Sequence, residues 1–136
     1  MASISGTYIG INCLLDSSVE KGRFVRAVGL LEGIPTAEQA SSGLSSSGHN
    51  IIGVAASAGL AGDRIDVQIS GVCTFLEAGA EMAAGSLVTT DSVGRAVQAS
   101  SGDRSFGRLV CGREGASYSA LGEECSVLLN VICDVV

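Results

Sequence analysis

Residues 63–75, DRIDVQISGVCTF, decide the fold class. Ile65, Val67, Ile69, Cys73 and Phe75 fall on one side of an extended chain, while Arg64, Asp66, Gln68, Ser70 and Thr74 fall on the other. Successive side chains of an extended backbone point to opposite faces, so a period of two marks a half-buried strand. Gly71 stands where such a strand is expected to break.

Working outward, further short strands are expected at about residues 8–15, 23–31, 51–56, 86–90, 95–98, 106–110 and 125–135, separated by Gly, Asp or Ser clusters. No stretch of helical length has a persuasive 3.6-residue period, although TAEQASS after Pro35 could form a turn or two of helix. Residues 36–50, TAEQASSGLSSSGHN, form the only low-complexity stretch and read as a mobile surface loop. The expectation is an all-β fold: a small β-barrel or β-sandwich of short antiparallel strands, with a flexible Ser/Gly loop and a short helix at most. Residues 17–136 read as one β-domain, and residues 1–16 as either an N-terminal arm or the first strand.

Composition narrows the function. The chain has 136 residues, of which 46% are hydrophobic, 4% aromatic and 16% charged, with 19 glycines and one proline. Charged residues fall below the roughly 25% usual for a soluble domain, which suggests a neutral surface partly covered by partners. The formal net charge of -6 is spread along the chain, and no basic run is present. Phosphate neutralisation supplies most sequence-independent affinity for nucleic acid, so direct binding to DNA or RNA is not expected.

Five cysteines, Cys13, Cys73, Cys111, Cys125 and Cys133, contain no C-x-x-C spacing and mostly sit in apolar runs. They read as buried free thiols of a reducing compartment. The N-terminal stretch MASISGTYIGINCLL has neither the basic nor the apolar region of a secretory signal, and no apolar run approaches the about 18 residues of a membrane span. A soluble chain made inside the cell is expected, without a membrane partner.

An internal repeat emerges when IIGVAASAGLAGDRIDVQI (51–69) is laid beside SFGRLVCGREGASYSALGEECSVLL (105–129). Gly53 matches Gly107, Gly62-Asp63 matches Gly122-Glu123, and Val67 matches Val127, given a six-residue insertion in the second copy. Each copy follows a Gly-x-apolar-Val step, GRFV at Gly22 and GSLV at Gly85. A duplication within one β-domain and a mere likeness of Gly-turn hairpins both account for this.

Material for catalysis is thin. His49 is the only histidine, lies in the Ser/Gly loop, and reads as solvated. The glycines form no phosphate-binding motif, and Glu123-Glu124 would face opposite sides of a strand rather than share a proton. No catalytic residue, cofactor site or metal site is assigned. GDRIDVQISG resembles the Ile-Asp-x-x-Tyr-x-Gly motif of trimeric dUTPases at Asp66 and Gly71, but Ile69 stands where that family has its Tyr.

A longer resemblance runs from Gly53 onward. IGVAASAGLAGDRIDVQISGVCTFLEAGAEMAAGSLVTTDSVGRAVQ, then FGRL and GEECSVLL, resembles the capsid cement, or head decoration, proteins of tailed double-stranded DNA phages. The ordered steps are Ile52 to Ala55, Gly62-Asp63, Val67 to Val72, Ala78 to Ala80, Gly85 to Val88, Asp91 to Gly94 and Gly122 to Val127. Arg108 replaces a small residue of the pattern, and residues 1–47 match only through EKGRFVRAVG.

The resemblance implies a virion protein on the capsid exterior, made in the host cytoplasm. It would form a homotrimer that clamps neighbouring subunits of the major capsid protein and stabilises the shell, with no enzyme activity. The alternative is a small β-barrel binding module of a phage tail or fibre base; a dUTPase-like trimeric enzyme ranks after it. The alternating SISGTYIGINCLL suggests that residues 2–16 add a strand to a capsid subunit, with Ile4, Tyr8, Ile9 and Ile11 as contacts. Phe75, Leu76, Leu87 and Val88 are the expected trimer interface.

Overall fold

The computed structural model of the protein describes residues 9–43, 50–130 and 136. Ile4, Tyr8, His49, Cys133 and the rest of residues 44–49 and 131–135 lie outside the described residues. Nine strands are formed: β1 (Ile9–Leu15), β2 (Phe24–Leu31), β3 (Ile34–Gln39), β4 (Ile51–Ala55), β5 (Arg64–Glu77), β6 (Leu87–Thr90), β7 (Ala96–Gln98), β8 (Gly107–Cys111) and β9 (Glu124–Asn130). A short 3-10 turn at Arg113–Gly115 interrupts the β8 to β9 connection.

The strands run in the order β1-β3-β2-β4-β5-β9-β8-β6-β7, and β1 also pairs with β5. That last pairing, from Ile9 opposite Ser70 to Leu14 opposite Arg64, closes the first five strands into a barrel. Closure leaves no free sheet edge in the ring, which is how a small barrel avoids unpaired backbone groups. Every neighbouring pair is antiparallel except β1 with β3, parallel at Leu14 to Thr36 and Leu15 to Ala37.

The deciding stretch is longer than its alternation suggests. β5 continues through Gly71, whose φ of 84° kinks the strand without ending it. Before the kink, Ile65 and Val67 are buried in one apolar cluster with Cys13, Leu15, Val19, Val25, Ala37 and Ala55. Beyond it, Cys73 and Leu76 are buried in a second cluster with Met82, Val88, Leu109, Cys125 and Val127. One strand thus walls two cores. Gln68, expected to face solvent, is wholly buried, and its Nε2 donates to the Ser70 carbonyl at 2.9 Å.

The second core repeats the first. β6, β7, β8 and β9 pair with one another as β2, β3, β4 and β5 do: Val25 opposite Gly53 recurs as Val88 opposite Gly107, and Ala55 opposite Val67 as Leu109 opposite Val127. Turn hydrogen bonds recur as well. Gly22 N to Ala55 O matches Gly85 N to Leu109 O, and Leu15 N to Asp63 O matches Ala78 N to Glu123 O. The distal half of β5 therefore stands in the second unit where β1 stands in the first, and the parallel bridge of Ala78 with Ala96 matches that of Leu15 with Ala37. The repeat is a real duplication of a five-strand unit, fused through a shared strand.

Residues 36–39 are a correction to the sequence reading: they are neither helix nor loop but belong to β3, with Arg26 opposite Glu38 and Val25 opposite Gln39. Cross-strand pairing on both sides outweighs a weak local helix preference. Pro35 is tolerated because the parallel pairing with β1 reaches only Thr36 and Ala37, leaving that side of Pro35 without a ladder partner.

Candidate assembly surfaces

Three of the four described cysteines lie inside. Cys13, Cys73 and Cys125 are buried free thiols and Cys111 is half-buried. Burial pushes the Cys73 thiol up to about 11 and the Cys125 thiol up to about 12, and raises that of Cys13. A thiol so displaced stays protonated at neutral pH and packs as a small apolar group. Among the described residues no cluster of three or more His, Cys, Asp or Glu side chains is placed to hold a metal.

The seam between the two units is built from both. Phe24 of β2 faces Phe106 with ring centroids 5.5 Å apart. Phe24, Ile51 and Val54 project from the first barrel into the second core. Arg23 Nη1 donates to the Val93 carbonyl at 2.8 Å, and the Phe24 N–H donates to the Gly94 carbonyl at 2.7 Å. Arg23 also pairs with Glu20 and, at 3.3 Å, with Glu77. The open cleft beside it, about 650 Å³ and lined by Val19, Leu60 and Val93 among others, thus has both terminal nitrogens of that guanidinium committed to the protein itself.

Among the described residues, exposed apolar side chains gather on two strand surfaces. The first is the β2–β3 hairpin, where Val28, Leu30 and Leu31 are 45%, 73% and 54% exposed. Its turn is Glu32-Gly33, both with positive φ, the two-residue turn that matches strand twist. The second is the outer wall of the second unit. There Val72 stands opposite Leu128 and Leu128 opposite Arg108, and Val72, Leu128 and Val110 are all exposed.

The residues singled out from sequence are divided by the fold. Leu76 and Val88, two of the residues expected at a trimer interface, are fully buried in the second core of the single chain, where β5 and β6 turn them inward. Phe75 is half-buried against the same core, with Lys21 Nζ 5.8 Å from its ring centre. Leu87 is half-buried beside Arg108 on the outer wall. Ile9 is 52% exposed at the start of β1, whereas Ile11 packs against the first core. Sequence reading missed Leu30, Leu31 and Leu128, which alternation alone cannot separate from core positions.

The chain was compared with known proteins. A search of curated proteins finds no match. Among solved structures, the N base of the head fiber gp8.5 of bacteriophage phi29 is similar, with a TM-score of 0.66, 17% identity, and coverage of 91% of this chain and 95% of that one. At that identity the likeness is one of fold. The family model described as phage cement protein matches residues 6–122. That span includes β1 to β8, the whole first core and the shared strand, and by it the chain belongs to the phage cement protein family, a family of phage structural proteins.

Proposed function

We propose that this chain decorates the outside of a tailed-phage capsid as a homotrimer, clamping neighbouring major capsid protein subunits and stabilising the shell without catalysis. The family match over residues 6–122 carries the reading. The surface chemistry supports it, because exposed leucines and valines on a sparsely charged chain favour broad shape-complementary contact over the binding of a small polar substrate. A symmetric clip engages several capsid subunits at once, so modest contacts add through effective concentration.

The capsid contact in this proposal is the segment before β1 together with the exposed first residue of β1, with Ile4, Tyr8 and Ile9 as its apolar residues, adding a strand to a capsid subunit. Ile11 belongs to the wall of the first barrel. Purified protein added to shells assembled without it should co-sediment with them and raise their disruption temperature; absence of co-sedimentation sinks the reading. Removal of residues 2–8 spares every described strand. The truncated protein should melt like the full chain yet leave shells bare, and normal decoration would defeat the strand-addition idea.

A second reading, that the chain is the base of a fibre, is favoured by the name of its structural neighbour. Electron microscopy of decorated shells separates the two: compact knobs support a cement, projecting fibres a base.

A further inference from the structure

The duplication makes the two exposed apolar surfaces intelligible. Within the chain, the outer wall of the first barrel (Phe24, Val54 and Gln68) is covered: all three are wholly buried, with Phe24 and Val54 joining the second core. By the matched registers, Phe24, Val54 and Gln68 correspond to Leu87, Arg108 and Leu128 of the second unit. That second wall is open, with Leu128 51% exposed and Arg108 exposed.

The complementary half of the contact shows the same asymmetry. Within the chain the first wall is received by Phe106 and by the β6–β7 hairpin, whose Val93 and Gly94 carbonyls hold Arg23 and Phe24. The counterparts of Phe106 and that hairpin in the first unit are Ile52 and the β2–β3 hairpin. Ile52 is only partly buried, and the hairpin carries the exposed Val28, Leu30 and Leu31. It is also longer: nine residues separate Ala27 from its partner Ala37, against five between Thr90 and its partner Ala96.

We infer that the outer wall of the second unit, centred on Leu128 with Leu87 and Arg108, receives the β2–β3 hairpin of a second copy of this chain. The contact repeats between chains the one the two units make within a chain. It joins two different surfaces, so it propagates head to tail, and the homotrimer proposed above is the ring in which three such contacts close. Charge agrees with this pairing, because Glu32 lies exposed at the hairpin tip and Arg108 lies exposed on the wall. The extra length of the hairpin gives it reach beyond the barrel to a separate chain.

This inference rests on the proposal that the chain self-associates, and not on capsid binding. The experiment is sedimentation of the purified full chain, the hairpin variant Leu30→Asp with Leu31→Asp, the wall variant Leu128→Asp, and a mixture of the two variants. All three positions are exposed, so each variant chain should keep the wild-type circular dichroism spectrum and a cooperative unfolding transition. Wild type should sediment as a multiple of 13.6 kDa and each variant alone as a 13.6 kDa chain. The mixture should regain a one-to-one dimer, since one variant keeps a sound wall and the other a sound hairpin. A monomeric wild type overturns the homotrimer and this contact together. An oligomeric wild type with oligomeric variants, or with variants that stay monomeric on mixing, overturns this contact and leaves self-association standing.

Discussion

Phe24 and Phe106 lie with ring centroids 5.5 Å apart and planes tilted by 53°, the one aromatic pair described and the point where two copies of a five-strand unit are locked together. Both rings are almost wholly buried. Truncating Phe24 to Ala removes a large apolar side chain and leaves a cavity at the seam, a cost of about 3–5 kcal/mol. The counterpart change Leu87→Ala, at a half-buried position, should cost distinctly less. Urea unfolding of the two variants checks this, and equal losses would mean that the seam is not held by Phe24.

Twin glycines test the duplication directly. A Cβ on Gly53 would lie 2.1 Å from the Gln68 carbonyl oxygen, and one on Gly107 would lie 2.3 Å from that of Leu128. Backbone cannot yield as a flexible side chain does, so Gly53→Ala and Gly107→Ala should each destabilise by about 1–3 kcal/mol or more. Gly29→Ala is the contrast, because its Cβ would meet only Thr36 Oγ1 at 3.6 Å. That variant should unfold at or slightly above the wild-type urea midpoint, through the reduced entropy of its unfolded chain.

Those glycines also show what the sequence made legible. Strand-forming alternation and the pairing of Gly53 with Gly107 were readable because close backbone approach forces glycine in both copies. The shared strand was not, since Val72 to Glu77 looks like a simple continuation, and only the matching pairs Leu14 with Arg64 and Glu77 with Glu124 reveal a second start. β3 was hidden by Pro35 and the serines that follow it. The inward facing of Leu76 and Val88 was not legible for a related reason: where one strand walls two cores, inward and outward depend on which core is meant.

Asp91 organises the hairpin that grips the first unit. Its Oδ1 accepts from the Val93 and Arg95 N–H groups at 2.9 and 2.8 Å, and its Oδ2 accepts from Arg95 Nε at 2.9 Å. Asp91→Ala removes all three, and hydrogen bonds to a charged group are each worth about 1.5–3 kcal/mol where desolvated, less at this partly exposed turn. A loss of about 1–2 kcal/mol is expected, together with faster amide exchange at Phe24, whose N–H bonds the Gly94 carbonyl. Unchanged exchange at Phe24 would show that the turn holds its shape without the carboxylate.

Alkaline stability should report the buried thiols. Cys73 and Cys125 ionise at about 11 and about 12 in the folded chain, against 9.0 for an ordinary thiol. Between pH 9 and those values the unfolded chain has released these protons and the folded chain still holds them, so rising pH favours unfolding. Each thiol contributes a loss of about 1.4 kcal/mol per pH unit in that window and nothing below it. Urea unfolding of the wild type should therefore be flat for these groups up to pH 9 and fall steeply above it. Replacing Cys73 by Ala should lower stability at pH 7 through the lost packing while making the alkaline fall shallower. A slope identical to wild type would place the titration elsewhere.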